Sequence, residues 1–575
     1  MCFIIAFLFS ADTTAIDTAR TYEIPEVVNS CHDMLVSNEV APGYYDNKVA
    51  DMLLNLPLVS VSYGIGRFSA GVGKGRKPYY TRIYLNGRPL YHHPLGYFNL
   101  GFLPLHFLER LSIGQIAAGA QLSCINFVSK VNRYDRPYSR ADFVLGSYQS
   151  NTYGFDLTRA VSDDLGFYLS GSYHRTDGHR ENSDAQVLSF YSHFYADSPL
   201  PLRFDFFYVG LDYGFPGSTI LPLTGQERDQ FIDVSATAGI DRGAFTLFYD
   251  HELLDYRDTL HDKSLRVEAD HFGLLCERHD TVFSTALDYG ARGSVTSLDG
   301  GAYLPTGLHR LDVWVRLNKS LGRAYARASG RMESANYHEI FLCPKIEFGL
   351  HLTGSAYLSA ALSRDARPPS DFERWAPFDS LIPYCTVAGN QLLSAEYCRV
   401  AEVGLSGDGF LVNLYRLNYD DYITVSSVNR YVNVPSWETS GIEGYVNLPL
   451  RWYNTDRSTA TEFTVGFSGN VQLSGDTAHY SPHSSASAVA AVKRDTRRFG
   501  WGVALRAQYS AERQDLAGEE YSGYNNISAA GLIRFMSLSC VARLNNILDE
   551  EYACLPFFPM AARNFDISVR WEFWD

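Results

Sequence analysis

No run of apolar residues in this chain approaches the ~20 that a membrane-spanning helix needs. With 20% charged residues and a mean hydropathy of -0.15, a helical membrane protein is excluded. Positive charge is also scarce: 49 Lys and Arg stand against 64 Asp and Glu, a formal net charge of -15. No basic patch is left to neutralise phosphates, so nucleic acid is not an expected partner. The acidity itself names no substrate, since solvated turns and loops carry most of it. The nine cysteines include no C-x-x-C pair and no His/Cys cluster, so neither a structural metal nor a cofactor is expected. G-x-S-x-G, P-loop and H-E-x-x-H motifs and a catalytic dyad are missing as well, and no enzyme activity is expected.

Aromatic residues, by contrast, are abundant: 14% of the chain, with 39 Tyr and 35 Phe. Their ordering matters more than their number. From Asn564 to Phe573 the chain alternates without a break: Phe565, Ile567, Val569, Trp571 and Phe573 share one face, and Asn564, Asp566, Ser568, Arg570 and Glu572 the other. A strand alternates faces with period two. Companion segments repeat the pattern. Leu311, Val313, Val315 and Leu317 oppose Asp312, Trp314, Arg316 and Asn318; Phe463, Val465 and Phe467 oppose Glu462, Thr464 and Ser468. Leu202, Phe204, Phe206 and Tyr208 form another apolar row, with Arg203 and Asp205 behind it. In a dry core those mid-strand polar groups would each cost about 1–3 kcal/mol unpaired. A wet or plugged lumen satisfies them, which favours a transmembrane β-barrel over a soluble sandwich, and the Tyr excess fits aromatic girdles at two membrane interfaces. A Tyr-rich soluble carbohydrate-binding protein is the competing reading.

The period-two texture holds from about Arg140 to the C-terminus, whereas Thr21 to Val131 is Gly- and Pro-interrupted and alternates weakly. Short turns are expected at Ser162–Asp164, Asp241–Gly243 and His279–Thr281, and longer polar stretches at Gly214–Arg228 and Arg364–Gln391. A barrel region of this size allows about 22 strands, a width whose lumen is filled by a plug. The apolar run Cys2–Phe9, followed by small residues, reads as a signal peptide over residues 1–15, without its basic n-region. Removing Cys2 leaves cysteines compatible with disulfides. Cys385 with Cys398 and Cys540 with Cys554 are near enough to bridge, and free thiols in the wall are the alternative.

Motifs in order along the chain resemble those of TonB-dependent outer-membrane receptors. Val49–Val61 is similar to the segment where a short helix leads into the first strand of the receptors' plug. Thr81–Leu90 resembles the central strand-turn, with Asn86-Gly87 supplying the positive φ of a tight turn. Leu103–Ile113 resembles a helix-to-strand segment, and Cys124–Lys130 the final plug strand. Ile113–Ala120 departs from the family's Arg-Gly-Pro pattern. In the barrel, Ala366–Trp375, Gly389–Glu396, Glu402–Gly404, Gly441–Glu443 and Leu544–Tyr552 resemble successive family motifs, although Gln391 and Ala395 replace two prolines. The family's C-terminal strand ends on an aromatic residue read by barrel-assembly machinery; here Phe573 fits the alternation, and Trp574 and Asp575 extend past it.

The resemblance implies an all-β membrane protein: a large antiparallel transmembrane β-barrel over residues 134–575, with a small α/β plug domain over 31–133 in its lumen. It also implies an N-terminal extension over 16–30 holding the TonB box, where TonB, energised by ExbB and ExbD, pairs by strand addition. Tyr22, Glu23, Ile24, Pro25, Glu26, Val27 and Val28 are its expected residues. Tyr91, His92, His93 and Tyr97 fall in a plug loop that would face the ligand; adjacent His92 and His93 diverge too far to make a metal pair, and no metal is expected. Arg76, Arg82, Arg88 and Arg110 are expected to pair with carboxylates of the barrel wall and seal a removable plug. The implied function is energy-coupled uptake of a small nutrient, such as a siderophore, haem, cobalamin or glycan, by a monomer among outer-membrane lipids. The alternative is an uncoupled barrel that binds at the cell surface or acts as a passive pore.

Overall fold

The alternating rows become the two faces of one closed sheet. In the strand Tyr303–Leu321, Leu311, Val313, Val315 and Leu317 are 39–47% exposed, while Asp312, Trp314 and Arg316 between them are 2–4% exposed. Phe463, Val465, Phe467, Phe565, Ile567, Trp571 and Phe573 are likewise exposed, and Glu462, Thr464 and Asp205 buried. Apolar out and polar in reverses the soluble pattern, and a lipid exterior is the solvent in which that reversal is stable. This computed structural model describes residues 59–64, 67–72, 81–90, 98–114, 123–130, 137–217, 222–300, 303–335, 339–353, 355–382, 386–426, 428–453, 459–476, 482–496, 498–514, 520–555 and 558–574. Among them no helix is long and apolar enough to cross a membrane.

Twenty-two antiparallel strands close on themselves, and Asn564–Trp574 pairs with Tyr138–Gly146 to remove both sheet edges. Strands join through short turns on the rim that holds Asp163–Asp164, Arg242 and Gly322, and through longer connections on the other. Outward tyrosines such as Tyr153, Tyr173 and Tyr509 lie toward the loop rim. Trp452, Trp501, Phe535 and Trp571 lie toward the turn rim, so the aromatic excess forms two girdles.

Two expected boundaries move. The turn foreseen at His279–Thr281 lies at Phe283–Ser284, both at positive φ (48° and 57°), because His279, Asp280 and Thr281 continue the ladder opposite Asp288, Leu287 and Ala286. The stretch Gly214–Arg228 is mostly strand: Leu202–Gly217 and Pro222–Ile240 run on past the apolar band, with polar side chains on both faces. Polar residues there mark strand leaving the membrane, not loop. Cys124, Cys276, Cys343, Cys398 and Cys540 are free thiols.

Inside the barrel lies a small mixed sheet. A hairpin of β1 (Val59–Gly64) and β2 (Arg67–Val72) precedes it. The sheet has the order β4 (Arg88–Leu90), β3 (Thr81–Leu85), β6 (Ser123–Ser129), β5 (Leu108–Gly114), with β3 and β6 parallel. Asn86 and Gly87 turn β3 into β4 at φ 53° and 80°, as the Asn-Gly pair requires. Asn86 Oδ1 accepts from the Ser129 amide at 2.9 Å and Asn126 Oδ1 accepts from the Gly87 amide at 3.0 Å, so β6 fixes the turn. The segment Leu103–Ile113 is a 3-10 turn, Leu105–Phe107, running into β5.

Candidate functional site

The inner sheet meets the wall through three cation seats, one buried and two half-buried. Arg88 on β4 is buried, and its Nη1 donates to both Asp250 carboxylate oxygens at 2.9 and 3.0 Å. Its other arm pairs with Asp233. Asp233 and Asp250 face each other directly across neighbouring strands, so Arg88 separates two like charges that would otherwise repel. The Phe248 ring lies 4.8 Å from the guanidinium carbon. Arg82 on β3 donates to Glu333 Oε2 at 2.9 Å, and Glu333 also meets Arg310 and Arg331, each at 3.2 Å. Lys130, after β6, donates from Nζ to Asp156 Oδ2 at 2.6 Å and to the His106 carbonyl at 2.5 Å. Beside it Tyr191 Oη lies 2.7 Å from Ser129 Oγ.

The expected pairing of Arg82 and Arg88 with wall carboxylates is therefore present; Arg76 lies outside the described residues. Sequence reasoning missed the acceptors Asp156, Asp233, Asp250 and Glu333, each an inward carboxylate in a barrel strand. It also missed an aromatic part of the seat. Phe107 stacks on Tyr191 at 4.7 Å and tilts against Phe207 at 5.2 Å, while Phe98 and Phe102 pack on Phe231 at 5.5 and 5.6 Å. Polar contacts alone do not make this seal.

His106 is enclosed between the inner sheet and the wall, where burial pushes its imidazole down to about 4 from an ordinary 6.5; Lys130 pushes the same way and Asp156 opposes both. The same burial pulls the Lys130 ammonium below its usual range against Asp156. The sign for His106 is fixed: between pH 6.5 and about 4 the unfolded chain takes up a proton that the seated imidazole refuses. Stability is thus flat above pH 6.5 and falls on acidification through that window, by about 1–3 kcal/mol. Calorimetry of wild type against His106→Gln should show a shallower acid slope in the variant.

A long connection between the strands Ala356–Arg367 and Glu396–Gly407 forms a strap over the loop-rim side. Its one-turn helix Asp371–Trp375 is held by a capping box, Ser370 with Glu373. Arg367 Nη1 donates to both Glu373 oxygens at 3.1 and 2.8 Å, and its Nη2 lies 3.5 Å from Glu396, which accepts from the Ile423 amide at 2.9 Å. The Gly389 amide donates to the Ala376 carbonyl and the Asn390 amide to the Glu373 carbonyl, both at 2.8 Å. The motifs Ala366–Trp375 and Gly389–Glu396 are thereby one knot. From it the strap reaches sideways: Lys263 pairs with Asp379 at 2.7 Å, and Phe372 and Ile382 join the core around Leu254, Tyr256 and Leu265. The expected TonB-box residues Tyr22–Val28 and the loop residues Tyr91, His92, His93 and Tyr97 lie outside the described residues.

Fold and site together define a large transmembrane β-barrel with an inner sheet held by ion pairs to the wall. The family model for the β-barrel of TonB-dependent receptors matches residues 75–547, and the chain belongs to that family, whose members are transporters and not enzymes. Its general function is nutrient uptake at the outer membrane. A search of curated proteins found no match. Among solved structures, the siderophore receptor PirA of Acinetobacter baumannii is similar, with 12% identity over 92% of this chain and 96% of that chain and a TM-score of 0.72. A mutant ferric enterobactin receptor, PfeA of Pseudomonas aeruginosa, in complex with enterobactin gives 15% identity, 92% and 97% coverage and a TM-score of 0.72. The copper transporter OprC gives 14%, 93% and 96%, and 0.71. At such identities these likenesses concern the fold.

Proposed function

We propose that this receptor imports a small metal chelate of the siderophore class, using energy delivered by TonB with ExbB and ExbD. The observation that carries the reading is the seat itself: Arg82, Arg88 and Lys130 of the inner sheet are held by wall carboxylates. Such a contact blocks the lumen at rest, yet each broken pair can be rehydrated when the sheet is pulled, which a wholly apolar seal could not do. Two of the similar structures are of siderophore receptors and the third of a copper transporter, which supports a metal-bearing cargo. In this reading residues 1–15 are the export signal, 16–30 carry the TonB box, 31–133 are the plug and 134–575 the barrel. Tyr91, His92, His93 and Tyr97 face the cargo, and the protein works as a monomer placed in the outer membrane by the barrel-assembly machinery.

The test is binding of the purified periplasmic domain of TonB to wild type and to Ile24→Pro. Proline removes a main-chain donor from the added strand. Binding by wild type and its loss in the variant places the box at Tyr22–Val28. Equal binding moves the box elsewhere, and no binding to either protein favours the uncoupled barrel.

A further inference from the structure

One groove of this barrel is on its outside. A cavity of about 830 Å³, within the ~300–1,000 Å³ typical of ligand sites, is lined mostly by outward-facing residues of the strands from Pro222–Ile240 round to Ala324–Ala335. Its cause is a row of paired positions running round the wall: Ala236, Leu247, Leu274, Gly293 and Leu311 follow one another in register. Leu247, Leu274 and Leu311 stand out as exposed ridges, and Gly293 between Leu274 and Leu311 leaves a floor where an added Cβ would meet nothing within 4 Å. Tyr249, Phe272, Val295 and His309, the next row toward the loop rim, form its upper lip.

One row higher the apolar belt ends. His251, Asp270 and Ser297 stand in register there, and Asp270 accepts from Tyr249 Oη at 2.7 Å and lies 3.0 Å from His251 Nδ1. Its hydrogen bonds are thus spent within the wall. Above it, Arg228 pairs with Asp212 at 3.0 Å and Arg257 with Asp255 at 2.8 Å. The groove therefore opens downward, into the lipid-facing belt, beneath a polar edge where Arg228, Arg257 and Arg266 are each paired with a carboxylate. A second protein copy seated here would have to cover those ion-pair rows, which interface cores avoid.

We propose that this groove is a binding site for one acyl chain of a membrane lipid, gripped by its hydrocarbon and not by its headgroup. The site rests on the reading that the barrel stands in a membrane. The experiment is native mass spectrometry of the full chain, delipidated in detergent and then supplied with phosphatidylethanolamine. Gly293→Phe fills the groove; Gly531→Phe, at an equally open outward glycine on the far side of the barrel, is the control. A heat-dependent gel shift reports separately whether each protein is a folded membrane barrel, and Gly293→Leu serves if Gly293→Phe does not fold. The expected result is one tightly held lipid on wild type and Gly531→Phe, with at least tenfold weaker retention in Gly293→Phe. Equal retention by all three, or a dimer in place of a lipid adduct, overturns the proposal. A missing heat shift in wild type would instead overturn the membrane reading.

Discussion

Replacing Arg88 with Gln should unseat the inner sheet. The substitution leaves Asp233 and Asp250 buried, facing each other across adjacent strands, with neither solvent nor counter-charge. Removing one partner from a buried ion pair costs about 3–5 kcal/mol, because the charge left behind is desolvated. Here two charges are left, so the upper end of that range applies. Transient opening of the seat should rise roughly a thousand-fold or more. In planar bilayers this appears as conductance events that wild type lacks, and in solution as faster proteolysis of the segment before β7 (Tyr138–Gly146). Adding Asp250→Asn to Arg88→Gln removes the repulsion and should recover a large part of the loss. A double variant as leaky as the single one would show that Arg88 acts through its stacking on Phe248 instead of through charge.

Gly389→Ala should open the strap without touching the seat. A Cβ at this position would lie 2.7 Å from three backbone atoms, Arg374 C, Trp375 N and Ala376 N. Backbone cannot step aside as a side-chain tip can, so the Gly389–Ala376 and Asn390–Glu373 hydrogen bonds must lengthen. Overpacking of this kind costs about 1–3 kcal/mol, which multiplies strap opening by roughly five- to a hundred-fold. Trypsin reads this directly, since Arg374 sits inside the knot: cleavage there should accelerate by that factor in the variant, while cutting at Arg82 of the seat, which precedes Ile83, stays at the wild-type rate. Acceleration at both sites would mean that strap and seat form one cooperative unit.

The barrel was legible because its information is local. Whether Leu311 and Asp312 part to opposite faces depends on period-two geometry alone, and the sign of the solvent outside follows from which face is apolar. The Asn86-Gly87 turn was legible for a similar reason, since its φ values are a property of those two residues. Polar composition misled only where strand and loop share it, as at Gly214–Arg228, where the ladder continues beyond the membrane. That Arg82 and Arg88 would seek wall carboxylates was readable from the cost of burying a cation. Which carboxylates receive them was not. Asp250 lies 162 positions from Arg88 and Glu333 lies 251 from Arg82, and no local pattern encodes a contact across a lumen. The strap and the Gly293 groove belong to the same class. Each depends on the closure of 22 strands, which fixes the neighbours of every residue only after the last strand, Asn564–Trp574, has met the first. Sequence thus determined the barrel, its inside and its outside. Tertiary closure alone decided which charges hold the inner sheet in place.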